Sequence, residues 1–380
     1  MKESFERKLD VLYDLLYVVR NSRMAKRIQS GDSISRDVIF ERVKNLVKLP
    51  GLTRSQFKAV QDYYYPYKVS TFTHREMIRL NGKFRPDYMP SELYYAYIDP
   101  YLNDKSRCLG LENKCLFPRL FPGITQPECI AFRMNGFWLD SENRRISGDE
   151  LMRMVEGEDN LFVKQAEDSF GGIGVIHISR KDGSSLGAEL EKAIEGMKCD
   201  IIIQKAVRQH PELSRLCPSS VNTMRIVSLL MPEGVKIVGS LLRFASGDKS
   251  VDNYTSGGMM CAVNSDGYLN PTAYSKRGDN PTVHPVTGVK FEDFRVPSYD
   301  RALELVKKAH PMLPYFRLVG WDVAIREDGE PVLIEANLST IGLETIQLSV
   351  CPVFGDDTKR IIDEAVKGTD YPRRRKDKAE

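Results

Sequence analysis

"GWDVAIREDGEPVLIEAN", residues 320–337, holds two apolar runs around a turn, with one carboxylate inside each run. With Asp328-Gly329 at the tip of a hairpin, any symmetric loop places Asp322 directly opposite Glu335. Like charges facing each other across a strand pair are destabilising, so the arrangement needs a reason. Strand alternation puts Leu333, Glu335 and Asn337 on one face, and Val332, Ile334, Ala336 and Leu338 on the other. On the preceding strand Asp322 shares its face with Gly320 and Ala324, small neighbours that leave space. Asp322, Glu335 and Asn337 then converge as oxygen-bearing side chains with room above them. Such a patch of hard ligands suits magnesium, which keeps several waters and borrows oxygens from substrate phosphates. The plainer alternative is that one acid is protonated or bonded to an arginine. With the acids opposed and unsatisfied, Asp322→Asn or Glu335→Gln is expected to spare the fold by relieving repulsion.

The chain has 380 residues, 42% hydrophobic and 28% charged, with a formal net charge of +3. That length exceeds one ordinary core, and the near-balanced charge gives no general argument for nucleic acid or acidic lipid. No apolar run approaches the ~20 residues of a membrane span. "MKESFERKLD" lacks the apolar segment of a secretory signal. The seven cysteines are scattered without a CxxC pair, which suggests reduced thiols in the cytoplasm and no structural zinc.

Apolar residues recur at helical spacing over 2–29, and further helices are expected at 35–48 and in "LTRSQFKAVQDYY". Proline and aromatic clusters place a boundary between about 65 and 100. Strands and helices then mix without strict βαβ order, which indicates an α+β fold. Strands are expected in "LFVKQA", "GVIHIS", "CDIIIQKAV", "TMRIVSLL", "GVKIVGSLLRF", "MMCAVN" and the opening hairpin. Helices are expected at 112–121, 148–156, 185–197, 299–309 and 357–367. The organisation reads as a helical region 1–90, subdomains 91–200 and 201–366, and a polar tail 367–380.

Four other stretches carry chemistry. In "LFVKQAEDSFGGIGVIHIS" a strand bearing Lys164 leads into a loop with Gly171, Gly172 and Gly174. Glycines let backbone N–H groups close on phosphate oxygens, and lysine supplies a compact charge. A plain glycine hairpin explains the segment equally well, and neither a P-loop nor a Rossmann turn fits. In "LENKCLFPRLFPGITQPECI" Lys114 precedes a short helical piece, and Lys105 is a neighbouring alternative. "CDIIIQKAVRQH" is a flat apolar strand ending in Gln204 and Lys205, suited to an adenine ring or simply to a strand that surfaces. Arg225 and Arg243 lie inside apolar β-like runs, where a lone arginine is costly without an anion. That anion is an internal acid or a bound phosphate or carboxylate. Asn253, Gly257 and Gly258 form a polar loop nearby.

In order along the chain, these pieces resemble the ATP-grasp superfamily. "PSSVNTMRIVS", "LLRFASGDKSVDNYTSGG" and "VGWDVAIREDGEPVLIEAN" are similar to its sugar-transfer-associated subfamily, over about residues 90 to 355. The resemblance implies two α+β subdomains clasping ATP, behind a helical N-terminal region. It implies that Lys114 and Lys164 contact the phosphates, Lys114 fitting the family spacing better than Lys105. The Gly171–Gly174 loop would cover the phosphates, and Gln204, with Lys205 beside it, would occupy the adenine hinge, where many relatives carry glutamate. Arg225 would stabilise the transferring phosphoryl group, with Arg243 beside it on phosphoryl oxygens or substrate carboxylate. Asp322, Glu335 and Asn337 would hold two magnesium ions, or manganese in their place. The implied reaction is ATP-dependent carboxylate–amine ligation through an acyl-phosphate, which needs no protein nucleophile. Acceptor candidates are His210, Asn222, Asn253, Gly257 and Gly258. The implied substrates are small carboxylates and amines, such as an amino acid joined to an amino sugar in surface-polysaccharide synthesis. A kinase acting on a hydroxyl and a non-catalytic nucleotide-binding regulator are the rival readings. For the N-terminal helices three uses stay open: capping the acceptor site, pairing two copies in a homodimer, or docking a partner enzyme.

Overall fold

The computed structural model describes residues 49–167, 174–180, 185–247, 257–275, 278–348, 350–369, 371 and 373. The expected helices over 2–29 and 35–48, Gly171, Gly172, Asn253 and most of the polar tail lie outside them. Two compact units divide the chain at 104/105 and 341/342. The segment from 342 onward therefore belongs with the residues before 105, a division different from the one read from the sequence. A chain that returns to an earlier unit leaves no mark in composition.

The described part of the first unit is helical. Its helix Arg54–Tyr63 opens with a capping box, Thr53 accepting from the Gln56 N–H while the Gln56 side chain accepts from the Thr53 N–H. A helix Phe72–Asn81 follows, then a helical run over 91–102 that contains the π-helical turn Tyr94–Ile98. Tyrosines fasten the returning segment: Tyr95 donates to Glu344, Tyr67 to Asp363 and Tyr101 to Glu364.

The second unit holds two antiparallel sheets. The smaller contains β1 (Cys129–Met134), β2 (Phe137–Asp140), β3 (Asn160–Gln165), β4 (Val175–Ser179) and β5 (Ile201–Lys205), in the order β2-β1-β5-β3-β4. One of its faces packs Leu161, Val163, Ile201 and Ile203 against helices Gly148–Val155 and Leu186–Ile194. The larger contains β6 (Thr223–Met231), β7 (Gly234–Phe244), β8 (Met259–Val263), β9 (Leu269–Ser275), β10 (Leu318–Ile325) and β11 (Pro331–Asn337), in the order β11-β10-β6-β7-β8-β9. Met224, Ile226, Leu242, Trp321 and Val323 face a core closed by Ala302, Val306 and Ala309 of the helix Tyr299–Ala309. The pairing register puts Thr223, Arg225, Arg243, Gly320 and Asp322 on the opposite face. Among the described residues no helix is long and apolar enough to cross a membrane. All seven cysteines are free thiols.

The opening stretch is a hairpin, and Asp322 pairs with Glu335. Its turn is nevertheless one residue off the symmetric expectation. Val323, Ala324 and Ile325 pair with Leu333, Val332 and Pro331, centring the loop on Asp328, with Gly329 at a φ of +80°. Asp328 ties the turn by accepting from Arg326 and from the Glu330 N–H. Ile334 is then an extra residue, a bulge that shifts the register and brings Glu335 opposite Asp322. The alternation breaks there. Leu333 packs in the core with Ala336 and Leu338, not on the face of Glu335 and Asn337.

Candidate functional site

The two acids are not left to repel each other. Asp322 is buried at 4% exposure, and its Oδ1 accepts from Arg225 Nε at 2.5 Å. Its Oδ2 accepts from Arg225 Nη2 at 3.2 Å and lies 2.9 Å from Arg243 Nη2. Cross-strand pairing of Asp322 with Arg225 sets the first contact. Thr223, opposite Arg243, takes a second bond from that guanidinium at 2.8 Å. Burial opposes the Asp322 charge, but Arg225 and Arg243 outweigh it and hold the carboxyl below its ordinary range. The internal acid is thus the anion that the two strand arginines require. Gly320 makes room for this: a Cβ there would stand 3.3 Å from Arg225 Cδ and 3.5 Å from the Ile341 Cα.

Glu335 is answered by Lys114, whose Nζ lies 2.8 Å from Oε1. Lys114 is buried and is delivered from the smaller sheet's side, its N–H bonded to Ala166 O at 2.9 Å just past β3. Lys164 stands on β3, close enough for Glu335 and Lys114 to act on its charge. Burial pushes its ammonium down to about 8, with Glu335 opposing the drop and Lys114 adding to it. Gln204 shares the face of Lys164 on the smaller sheet and is buried. Lys205 points to the other side, held by Glu128 at 2.6 Å and Glu158 at 2.9 Å. Lys105 also has a different use, donating to the carbonyls of Leu338 at 2.9 Å and Ser339 at 2.7 Å.

Of the expected acceptor residues, the described ones, His210, Asn222, Gly257 and Gly258, are engaged within the fold. The His210 Nδ1 accepts from Glu212 N–H and caps the helix Pro211–Leu216. Asn222 is buried at 1% exposure and donates to the carbonyls of Leu213 and Cys217. Gly257 has a φ of +102° and its carbonyl accepts from Ser246, while Gly258 is buried next to β8. Gly174, at a φ of +74°, closes the β3–β4 hairpin by accepting from Gln165 N–H. Sequence reasoning missed Thr223, whose part depends on its cross-strand neighbour Arg243.

The residues fit a nucleotide with a divalent cation. Lys114, Lys164, Arg225 and Arg243 gather at two carboxylates, a donor set matched to phosphate oxygens. Asn337 donates its Nδ2 to Gly320 O at 3.0 Å, which orients the amide and leaves Oδ1 as a neutral oxygen beside Glu335. Glu335 and Asn337 carry the oxygens best suited to a hard cation, because Asp322 already accepts three contacts from arginine. Among the described residues no group of three or more His, Cys, Asp or Glu side chains is arranged for a metal.

Residues 94–361 match the family described as sugar-transfer associated ATP-grasp. A comparison with curated proteins gave no significant match. Solved structures similar to this chain include the ADP complex of an N5-carboxyaminoimidazole ribonucleotide synthetase, at 10% identity and a TM-score of 0.36 over 60% of this chain and 44% of that one. The D-alanine–D-alanine ligase of Bacillus anthracis is 13% identical, with a TM-score of 0.35 over 67% of this chain and 64% of that one. D-alanyl-alanine synthetase A of Vibrio cholerae is 14% identical, with a TM-score of 0.38 over 68% and 65%. The chain spans less than two thirds of each of these neighbours. The family match covers most of the chain and includes every residue of the cationic site, and on it the assignment rests: the chain belongs to the sugar-transfer associated ATP-grasp family and has the ATP-grasp fold.

Proposed function

We propose that this protein is an ATP-dependent carboxylate–amine ligase that makes an amide through an acyl-phosphate. The observation that carries this reading is the convergence of Lys114, Lys164, Arg225 and Arg243 on the Asp322–Glu335 pair. A site of cations without a nucleophile–base pair suits phosphoryl transfer, where positioning and charge do the chemistry. Lys114 and Lys164 hold the nucleotide phosphates, and Gln204 lies on the same face for the base. Magnesium or manganese, when bound at Glu335 and Asn337, screens the phosphate charge. Asp322 fixes Arg225 and Arg243 so that their remaining N–H groups meet the transferring phosphoryl group and the substrate carboxylate. A carboxylate oxygen attacks the γ-phosphorus and ADP leaves. An amine then attacks the acyl carbon, phosphate departs with that oxygen, and the amine gives up a proton. The family's association with sugar transfer favours an amino acid or acyl group joined to an amino sugar during surface-polysaccharide synthesis.

Incubation with ATP, magnesium, a pool of carboxylates and hydroxylamine tests the reaction class. Hydroxamate with ADP and free phosphate is expected. A stable phosphorylated product would instead make the protein a kinase, and ATP binding without either product would make it a regulator.

A further inference from the structure

The tripeptide Glu112-Asn113-Lys114 touches three parts of the site at once. Glu112 Oε1 accepts from the N–H groups of Leu338 at 2.6 Å and Ser339 at 2.8 Å, and from the Ser339 hydroxyl at 3.1 Å. These are the first residues after Asn337, where the chain leaves β11. Lys105 holds the carbonyls of the same two residues, and the Ile341 carbonyl beyond them accepts from Arg225 Nη1 at 3.3 Å. Asn113 donates to Glu167 Oε1 at 2.8 Å, at the foot of the β3–β4 connection. Lys114 completes the set through Glu335.

We propose that Glu112 is a positioning residue: it locks the exit of β11 to the segment bearing Lys114, so that Lys114, Glu335 and Asn337 keep one geometry. A carboxylate that accepts three hydrogen bonds from one short segment is a strong anchor, because charge-assisted bonds are roughly twice as strong as neutral ones. Asn113 extends the tie to the end of β3, which carries Lys164. The tripeptide thus spans both sheets of the unit. Displacement of a catalytic group by about 1 Å can cost two orders of magnitude in rate.

This inference rests on the ATP-binding reading, and the test separates the two. Glu112→Ala and Glu112→Gln are made in the full chain, with and without Lys114→Ala. ATP binding is measured by calorimetry, and kcat and KM for ATP by hydroxamate formation. Glu112→Ala is expected to lower kcat/KM by about 10- to 100-fold. Glu112→Gln, which keeps the accepting oxygen, should recover most of that loss. On the Lys114→Ala background Glu112→Ala should cost markedly less than in the parent, since part of its effect passes through Lys114 and the rest through Glu335 and Asn337. Wild-type ATP binding combined with an undiminished, folded Glu112→Ala enzyme would overturn the positioning role and leave the functional reading standing. Losses that multiply independently would also overturn it. Failure of the wild-type chain to bind ATP would overturn the functional reading, and this inference with it.

Discussion

Asp322→Asn is the perturbation on which sequence and structure disagree most. From the sequence, neutralising one of two opposed acids relieves repulsion and spares the fold. In the structure Asp322 accepts three contacts from Arg225 and Arg243, and the arginine side chains keep only 13% and 14% exposure. Removing one partner of a buried ion pair costs about 3–5 kcal/mol. Asparagine keeps one accepting oxygen but turns an amide N–H toward a guanidinium, so a loss of roughly 3 kcal/mol is expected. For a unit of this size that corresponds to a fall of roughly 6–12 °C in Tm. The folded carboxyl titrates below its unfolded value of ~3.9. Its contribution is therefore complete above that pH and is lost as pH falls through the lower folded value. Urea unfolding of both proteins at pH 7 and at stepwise lower pH measures the difference. The stability gap should be full at pH 7 and close on acidification. An Asp322→Asn variant as stable as the parent at pH 7 would refute the arginine clamp.

Glu335→Gln should cost less, since its carboxylate keeps 27% exposure and glutamine keeps an oxygen that accepts from Lys114. A loss of roughly 1–2 kcal/mol is expected from removing the counter-charge beside the buried Lys114, while ATP turnover is lost, as paired unfolding and hydroxamate assays would show. Gly320→Ala adds a Cβ against Arg225 and Ile341 and should reduce kcat by at least about tenfold with little change in unfolding midpoint. ATP affinity should decline as pH rises past about 8, where Lys164 loses its proton, and Lys164→Arg should flatten that decline in a calorimetric pH series. Ser228→Ala removes the hydroxyl that accepts from Trp321 Nε1 and bonds His310 Nδ1, each at 2.7 Å. Two buried polar groups left unsatisfied should cost about 2–4 kcal/mol in urea unfolding.

Local pattern carried much of the fold. Period-two runs located β3 to β8, and the hairpin signal paired Asp322 with Glu335 as the structure does. Pattern failed where a single residue breaks it. The bulge at Ile334 carries no signature in an unbroken apolar run, so Leu333 was placed on the wrong face. The strand β9, "LNPTAYS", was missed because a proline and polar residues hide its alternation. Among site residues, Arg225 and Arg243 stood out because charge inside an apolar run demands an anion. Their partner, Asp322, lies 97 residues downstream of Arg225, so the internal-acid alternative is open in the sequence but only the strand pairing singles it out. His210 and Asn222 looked available because capping and buried amide bonds depend on neighbours that the linear sequence does not bring together.

The central claim, an acyl-phosphate made at the Lys114–Glu335–Arg225 site, is tested most directly by oxygen transfer. Carboxylates labelled with oxygen-18 are incubated with the protein, ATP, magnesium and an amine pool, and the released phosphate is weighed by mass spectrometry. One labelled oxygen per phosphate is the predicted result, because the carboxylate oxygen that attacks the γ-phosphorus leaves with it. Phosphate free of label, released in step with product, would contradict the account.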